Sequence, residues 1–228
     1  MTDATDRTGA ELPPARRVLA VCAHPDDESF GLGGIISAYF AAEPRSTNMA
    51  LNSLTRGEAS MLGADRSELA EARTRELHAA ARQLGIASVE IGDHPDGRLT
   101  TVGLGELAVS IRPLASGVDL VLVFDEGGIT GHPDHIQATP AALNVAAELD
   151  LPVLAWALSD AVATALNDEF RAGFVGRPSH DIDLTTPVDR ERQHVAMLCH
   201  STQFTDNPVP DRRLALTGPD EALRWLRQ

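Results

Sequence analysis

Short apolar runs separated by longer amphipathic segments constrain this chain more than any other feature. Strands are expected at residues 17–23, 49–54, 88–91, 118–124 and 153–157, with a weaker one at 180–184. Three of these runs are almost continuously apolar, as a strand buried on both faces requires. Helices are expected at residues 33–42, 64–84, 104–114, 133–149 and 188–200, and a short one at 219–226. Within 64–84, Leu69, Ala72, Leu77, Ala80 and Leu84 lie near one stripe, and Gly85 is a natural stop beyond it. This alternation predicts an α/β protein with a mostly parallel sheet and helices on both faces. A single domain is expected over residues 17–228, after a disordered polar leader at residues 1–16. The part after Pro152 is harder to parse and reads as a small irregular addition packed on the sheet.

Charge narrows the function. The chain carries 33 acidic and 19 basic residues, a net charge of −14, so nucleic acid and anionic membrane surfaces are repelled. No apolar stretch approaches the ~20 residues of a bilayer span, and the N-terminus has no apolar signal region. A cytoplasmic location is the default expectation. Cys22 and Cys199 make no disulfide framework. All the basic residues are arginine, which excludes lysine Schiff-base chemistry.

The first strand runs into Ala23-His24-Pro25-Asp26-Asp27-Glu28, and the fourth into a glycine-rich loop and His132-Pro133-Asp134-His135. In an open parallel sheet, ligands bind outside the carboxyl ends of the strands. Both clusters are expected at that end. Imidazole and carboxylate together are the donor set of zinc, and three protein ligands with one open position make its catalytic form. Either cluster alone is equally readable as a helix cap or a surface hydrogen-bonding loop.

These two motifs, in this order and about a hundred residues apart, resemble the PIG-L (LmbE-like) family of zinc-dependent N-acetylglucosaminyl de-N-acetylases. Thr55-Arg56-Gly57-Glu58, Asp96-Gly97-Arg98-Leu99 and His200-Ser201-Thr202-Gln203 are similar to further landmarks of that family. The resemblance runs from about Val18 to Gln203. It implies a Rossmann-like fold and a hydrolase that removes an acetyl or acyl group from a small N-acylated substrate, such as an amino-sugar conjugate. It further implies that His24, Asp27 and His135 bind Zn2+ or another divalent ion. Asp26 is then the general base, His132 the oxyanion stabiliser or general acid, and Asp134 the residue that orients His132. Thr130 stands where some family members place a tyrosine that assists the oxyanion.

Secondary candidates bind substrate: Arg56, an arginine fork at a strand end that could equally pair with a neighbouring acid; Asp96, equally a turn former; and His200, equally a cation at a helix end. The competing reading is a non-hydrolytic nucleotide-binding or regulatory module using Gly31-Leu32-Gly33-Gly34, although these glycines also suit close helix–sheet packing. A co-chaperone reading of His-Pro-Asp fails, because that motif needs a loop between two helices and a basic partner surface. Homo-oligomerisation is left open.

Overall fold

The computed structural model describes residues 11–43, 47–60 and 65–228. The expected leader lies outside the described residues over 1–10, while Leu12 and Ala15 pack half-buried against the core. The first residue of the expected 64–84 helix also lies outside them.

The chain begins with β1 (Arg17–Cys22), α1 (Asp27–Phe30), α2 (Gly33–Ala42), β2 (Asn48–Thr55), α3 (Arg66–Leu84) and β3 (Ser88–His94). It continues through α4 (Leu104–Ala115), β4 (Leu120–Phe124), α5 (Gly128–Gly131), α6 (Pro133–Leu149) and β5 (Val153–Ser159). The last part holds α7 (Asp160–Phe170), β6 (Gly176–Arg177), β7 (Leu184–Pro187), α8 (Arg190–Met197), α9 (Ser201–Phe204), α10 (Val209–Thr217) and β8 (Asp220–Arg227). The strands form one sheet in the order β3-β2-β1-β4-β5-β8-β7, with β6 pairing β5. The run from β3 to β5 is parallel, and β8 is antiparallel to both β5 and β7.

The continuous apolar runs have a direct cause in this layering. Val18, Ala20 and Cys22 of β1 enter a core with Ile35 and Ile36 of α2 and Leu77 of α3. Leu19 and Val21 enter the opposite core with Leu107 and Ile111 of α4 and Val145 of α6. Because successive strand side chains alternate faces, a strand between two helical layers needs apolar residues at every position. Helix α3 begins where the Asp65 carboxylate accepts from the amides of Ser67 and Glu68, and ends at Gly85 with φ 84°. Strand order reverses at β1, with β2 and β3 on one side and β4 and β5 on the other. The loops that leave β1 and β4 therefore open a crevice at the switch point.

Three expectations need correction, all after Pro152. The expected helix at 219–226 is strand β8, which extends the sheet beyond β5. Its residues alternate, Glu221 and Leu223 buried between less buried neighbours, and the open edge of β5 decides the outcome. The weak strand at 180–184 is displaced to β7, a single turn occupying Ser179–Asp181. The region is thus no irregular addition: it completes the sheet and contributes α7 and α10.

Glu221 is fully buried, accepting from Trp156 Nε1 at 2.8 Å and from Arg213 at 2.9 Å, and pairing also with Arg190. Removing this carboxylate strands the buried Arg213 charge, so Glu221→Ala is expected to destabilise the fold by roughly 3–5 kcal/mol. Denaturant unfolding checks this, and a loss well under 1 kcal/mol would contradict it.

Candidate active site

The loop after β1 is tied down before it supplies chemistry. Ala23 O accepts from the Thr55 amide at 3.0 Å and the Thr55 hydroxyl at 2.9 Å, joining the ends of β1 and β2. Asp27 Oδ2 accepts from the amides of Ala23 and His24, at 3.0 and 2.9 Å. Its other oxygen, Oδ1, is left 3.1 Å from His135 Nε2.

The loop after β4 delivers the second half. His132 caps α6, its Nδ1 accepting from the Asp134 amide at 3.1 Å. A ring that accepts at Nδ1 carries its proton on Nε2. Burial, with the nearby His24 and His135, holds the His132 pKa below its ordinary value and so favours this neutral form. His135 Nδ1 lies 2.9 Å from Gly128 O, which can only accept, so Nδ1 donates and Nε2 keeps its lone pair.

His24 is oriented by carboxylates. Its Nε2 is 3.0 Å from Asp96 Oδ1 and 3.2 Å from Asp134 Oδ2, and donates to them. Burial opposes a charge on His24, but Asp134 and Asp96 prevail and raise its pKa to about 10. Asp134 is itself fixed by the amides of Gly97 and Leu99, at 2.7 and 2.9 Å. His24 Nδ1 then faces His135 Nε2 at 3.1 Å and Asp27 Oδ2 at 3.9 Å.

Three potential ligand atoms thus converge from two strand ends. Four tetrahedral ligands about 2.0–2.1 Å from zinc lie roughly 3.3 Å from one another; His135 Nε2 is 3.1 Å from both His24 Nδ1 and Asp27 Oδ1, near that spacing, and one ligand atom of each of the three residues lies within 4.8 Å of the others. A positive charge suits this spot: without an ion the proton on His24 Nδ1 supplies it, and a divalent ion would take that proton's place and face two imidazole lone pairs and a carboxylate. His24, His132 and Asp134 form an overlapping group, but its Asp134 oxygens and His132 Nδ1 already have partners. His24, Asp27 and His135 could hold a divalent ion without breaking a hydrogen bond to backbone.

Asp26 stands beside this triad with φ 113°, a strained backbone for a residue with a side chain. Arg73 of α3 holds it there, donating through Nη2 to Asp26 Oδ2 at 3.0 Å and through Nη1 to Gly57 O at 2.7 Å. Burial pushes the Asp26 pKa up to about 6 against the pull of Arg73. From the other side, Glu28 Oε2 accepts from the Asp26 amide at 3.0 Å, and Glu28 Oε1 lies 2.7 Å from His200 Nε2. Both Glu28 and His200 are fully buried.

These groups open into a cavity of about 380 Å³ whose walls include His24, Asp26, Asp27, Asp96, His132 and His135. Residues 19–146 match the family described as GlcNAc-PI de-N-acetylase, PIG-L. The chain belongs to the PIG-L family. It is 30% identical to a 1D-myo-inositol 2-acetamido-2-deoxy-alpha-D-glucopyranoside deacetylase of Kribbella flavida, over 87% of this chain and 86% of the relative. A deacetylase of the same name from Corynebacterium diphtheriae is 26% identical, over 82% and 76%. The fold matches the crystal structure of a deacetylase triple mutant of the teicoplanin biosynthetic pathway, with TM-score 0.69, 22% identity and coverage of 93% and 98%. As a PIG-L protein, the chain is an N-deacetylase.

Within this PIG-L site, His24, Asp26, Asp27, Asp96, His132, Asp134 and His135 are brought together as the sequence suggested. Their contacts amend three expectations. The Asp134 carboxylate faces His24, and it meets His132 only through its backbone amide, because that amide is the one the cap must satisfy. His200 does not line the cavity and instead supports Asp26 through Glu28. Arg56 lies over a separate depression, 42% exposed and paired with Asp93 at 2.5 Å. Arg56→Ala is accordingly expected to leave kcat/KM within about threefold of wild type, with metal content unchanged; a large rise in KM would place Arg56 back on the substrate. Among the described residues, the arginines that line the cavity are Arg73 and Arg213.

The glycine loop after β1 is closely packed. A Cβ on Gly31 would stand 2.4 Å from the Phe124 ring, and one on Gly33 2.8 Å from Gln193. These glycines serve close packing. Among the described residues, no helix is long and apolar enough to cross a membrane.

Proposed function

We propose that this chain is a metal-dependent hydrolase, with zinc as the metal, that removes the acetyl group from the amide nitrogen of a small N-acetylated amino sugar or its conjugate. The observation that carries this reading is the convergence of His24 Nδ1, Asp27 Oδ1 and His135 Nε2, with Asp26 beside them. The amino-sugar substrate follows the relatives, whose names specify a 2-acetamido-2-deoxy-glucopyranoside.

His24, Asp27 and His135 would hold the metal, which when bound supplies a Lewis acid that polarises the amide carbonyl and acidifies water. Asp26 accepts a proton from the attacking water through the oxygen that Arg73 leaves free. His132 donates its Nε2 proton as a hydrogen bond to the developing oxyanion. Asp134 and Asp96 hold the His24 tautomer that leaves Nδ1 available. Water's oxygen joins the acyl carbon, the C–N bond breaks, and the nitrogen leaves as an amine after taking up the proton that Asp26 accepted.

Release of amine from N-acetylglucosamine conjugates tests this. Activity is expected to vanish with a chelator and return with zinc or another divalent ion. Full activity in demonstrably metal-free protein would contradict it.

A further inference from the structure

Asp26 is held at both ends. Its carboxylate accepts from Arg73 Nη2 at 3.0 Å, and its amide donates to Glu28 Oε2, also at 3.0 Å. The backbone between them needs the restraint. Asp26 is the N-cap of α1 with φ 113° and ψ −27°, where an N-cap residue ordinarily has extended backbone. A residue with a side chain stays in such a conformation only when its surroundings over-determine it.

Glu28 is built in more firmly than a helix start requires. A glutamate that reaches back to the N-cap amide is a common way to begin a helix, but α1 is a single turn and Glu28 is fully buried. Its other oxygen, Oε1, accepts from Ser29 Oγ at 2.5 Å and from His200 Nε2 at 2.7 Å. His200 is equally buried, and its Nδ1 has no hydrogen-bond partner among the described residues, so Glu28 is the polar attachment of the ring. The segment after His200 is fixed in turn to α3. Glu76, three residues beyond Arg73, accepts from the Thr202 amide at 2.9 Å and from the hydroxyls of Ser201 and Thr202 at 2.8 and 2.6 Å. Helix α3 therefore grips Asp26 twice, directly through Arg73 and indirectly through His200 and Glu28.

The metal-ligand candidates have fixings of their own. Asp27 is held by the amides of Ala23 and His24, and His135 by Gly128 O. Neither Glu28 nor His200 lines the cavity. On the reading of Asp26 as the base, we infer that Glu28 and His200 are positioning residues for the reaction: Glu28 keeps the Asp26 backbone in its strained conformation, and His200 keeps Glu28 in place.

The test measures amine release from an N-acetylglucosamine conjugate by the full-length, metal-loaded enzyme. Glu28→Met fills the space without offering an acceptor. It is expected to lower kcat about a hundredfold, the cost of a misplacement of roughly 1 Å, with KM and metal content within about threefold of wild type. The same change made in Asp26→Asn should cost less than about threefold, because residues that act as a unit are lost only once. A group that serves only the fold would lower both backgrounds alike. Glu28→Gln keeps an oxygen for the Asp26 amide and should retain kcat within about fivefold. His200→Leu is expected to follow Glu28→Met and to add nothing to it, and it carries the test if Glu28→Met does not fold. Full turnover in both variants, a hundredfold loss that persists in Asp26→Asn, or an equal loss in Glu28→Gln each overturns the inference and leaves the deacetylase reading standing. Wild-type turnover by Asp26→Asn removes the base on which the inference rests, and no amine release from the wild-type enzyme overturns the deacetylase reading itself.

Discussion

Asp26→Asn is expected to keep its metal and lose roughly two to four orders of magnitude in turnover, the range for general acid–base catalysis. Asparagine still accepts the Arg73 hydrogen bond, now 3.0 Å from Nη2, so the clamp on the loop survives. It cannot take a proton from water. Substrate affinity should change far less than kcat, because the lost step belongs to the barrier and not to the ground state. Steady-state kinetics beside metal analysis checks both halves. A variant that retained wild-type turnover would remove Asp26 from the reaction.

Asp27→Ala is expected to lose metal and activity together. Two imidazoles are a weaker site than three ligands, and the same carboxylate also accepts the amides of Ala23 and His24, at 3.0 and 2.9 Å. Its removal therefore disturbs the loop that aims His24 as well as deleting a ligand. Added zinc at high concentration should restore occupancy only in part. Retention of a full metal complement by this variant would show that Asp27 is not a ligand.

The contrast between these neighbouring aspartates shows how far a sequence can be read. Their shared loop at the end of β1, and its partner after β4, follow from strand periodicity and the switch-point rule, which need only local pattern. Which carboxylate faces which histidine depends on side-chain direction within one turn, as with Asp134, whose amide serves His132 while its oxygens serve His24. Glu28 and His200 are 172 positions apart, and nothing local foretells their pairing.

The sequence reading chooses Arg56 and passes over Arg73, although a signal for it is present. Leu69, Arg73, Leu77, Ala80 and Leu84 are all buried on one face of α3, and an arginine inside an otherwise apolar stripe signals a buried partner. Arg56 is in contrast a strand-end cation with an exposed acid nearby. Strand β8 was obscured because Glu221 to Leu226 is short enough to satisfy either period. The buried Glu221, reached by Arg190, Arg213 and Trp156, is what commits it to the sheet.

The central claim is that His24, Asp27 and His135 together hold a divalent ion beside a separate base. Metal stoichiometry of the purified wild-type protein, Asp26→Asn and Asp27→Ala, measured by atomic absorption after identical handling, tests it most directly. One bound ion per chain in wild type and Asp26→Asn, and little in Asp27→Ala, is the predicted result. Loss of metal from Asp26→Asn with full retention in Asp27→Ala would contradict the account and exchange the two roles.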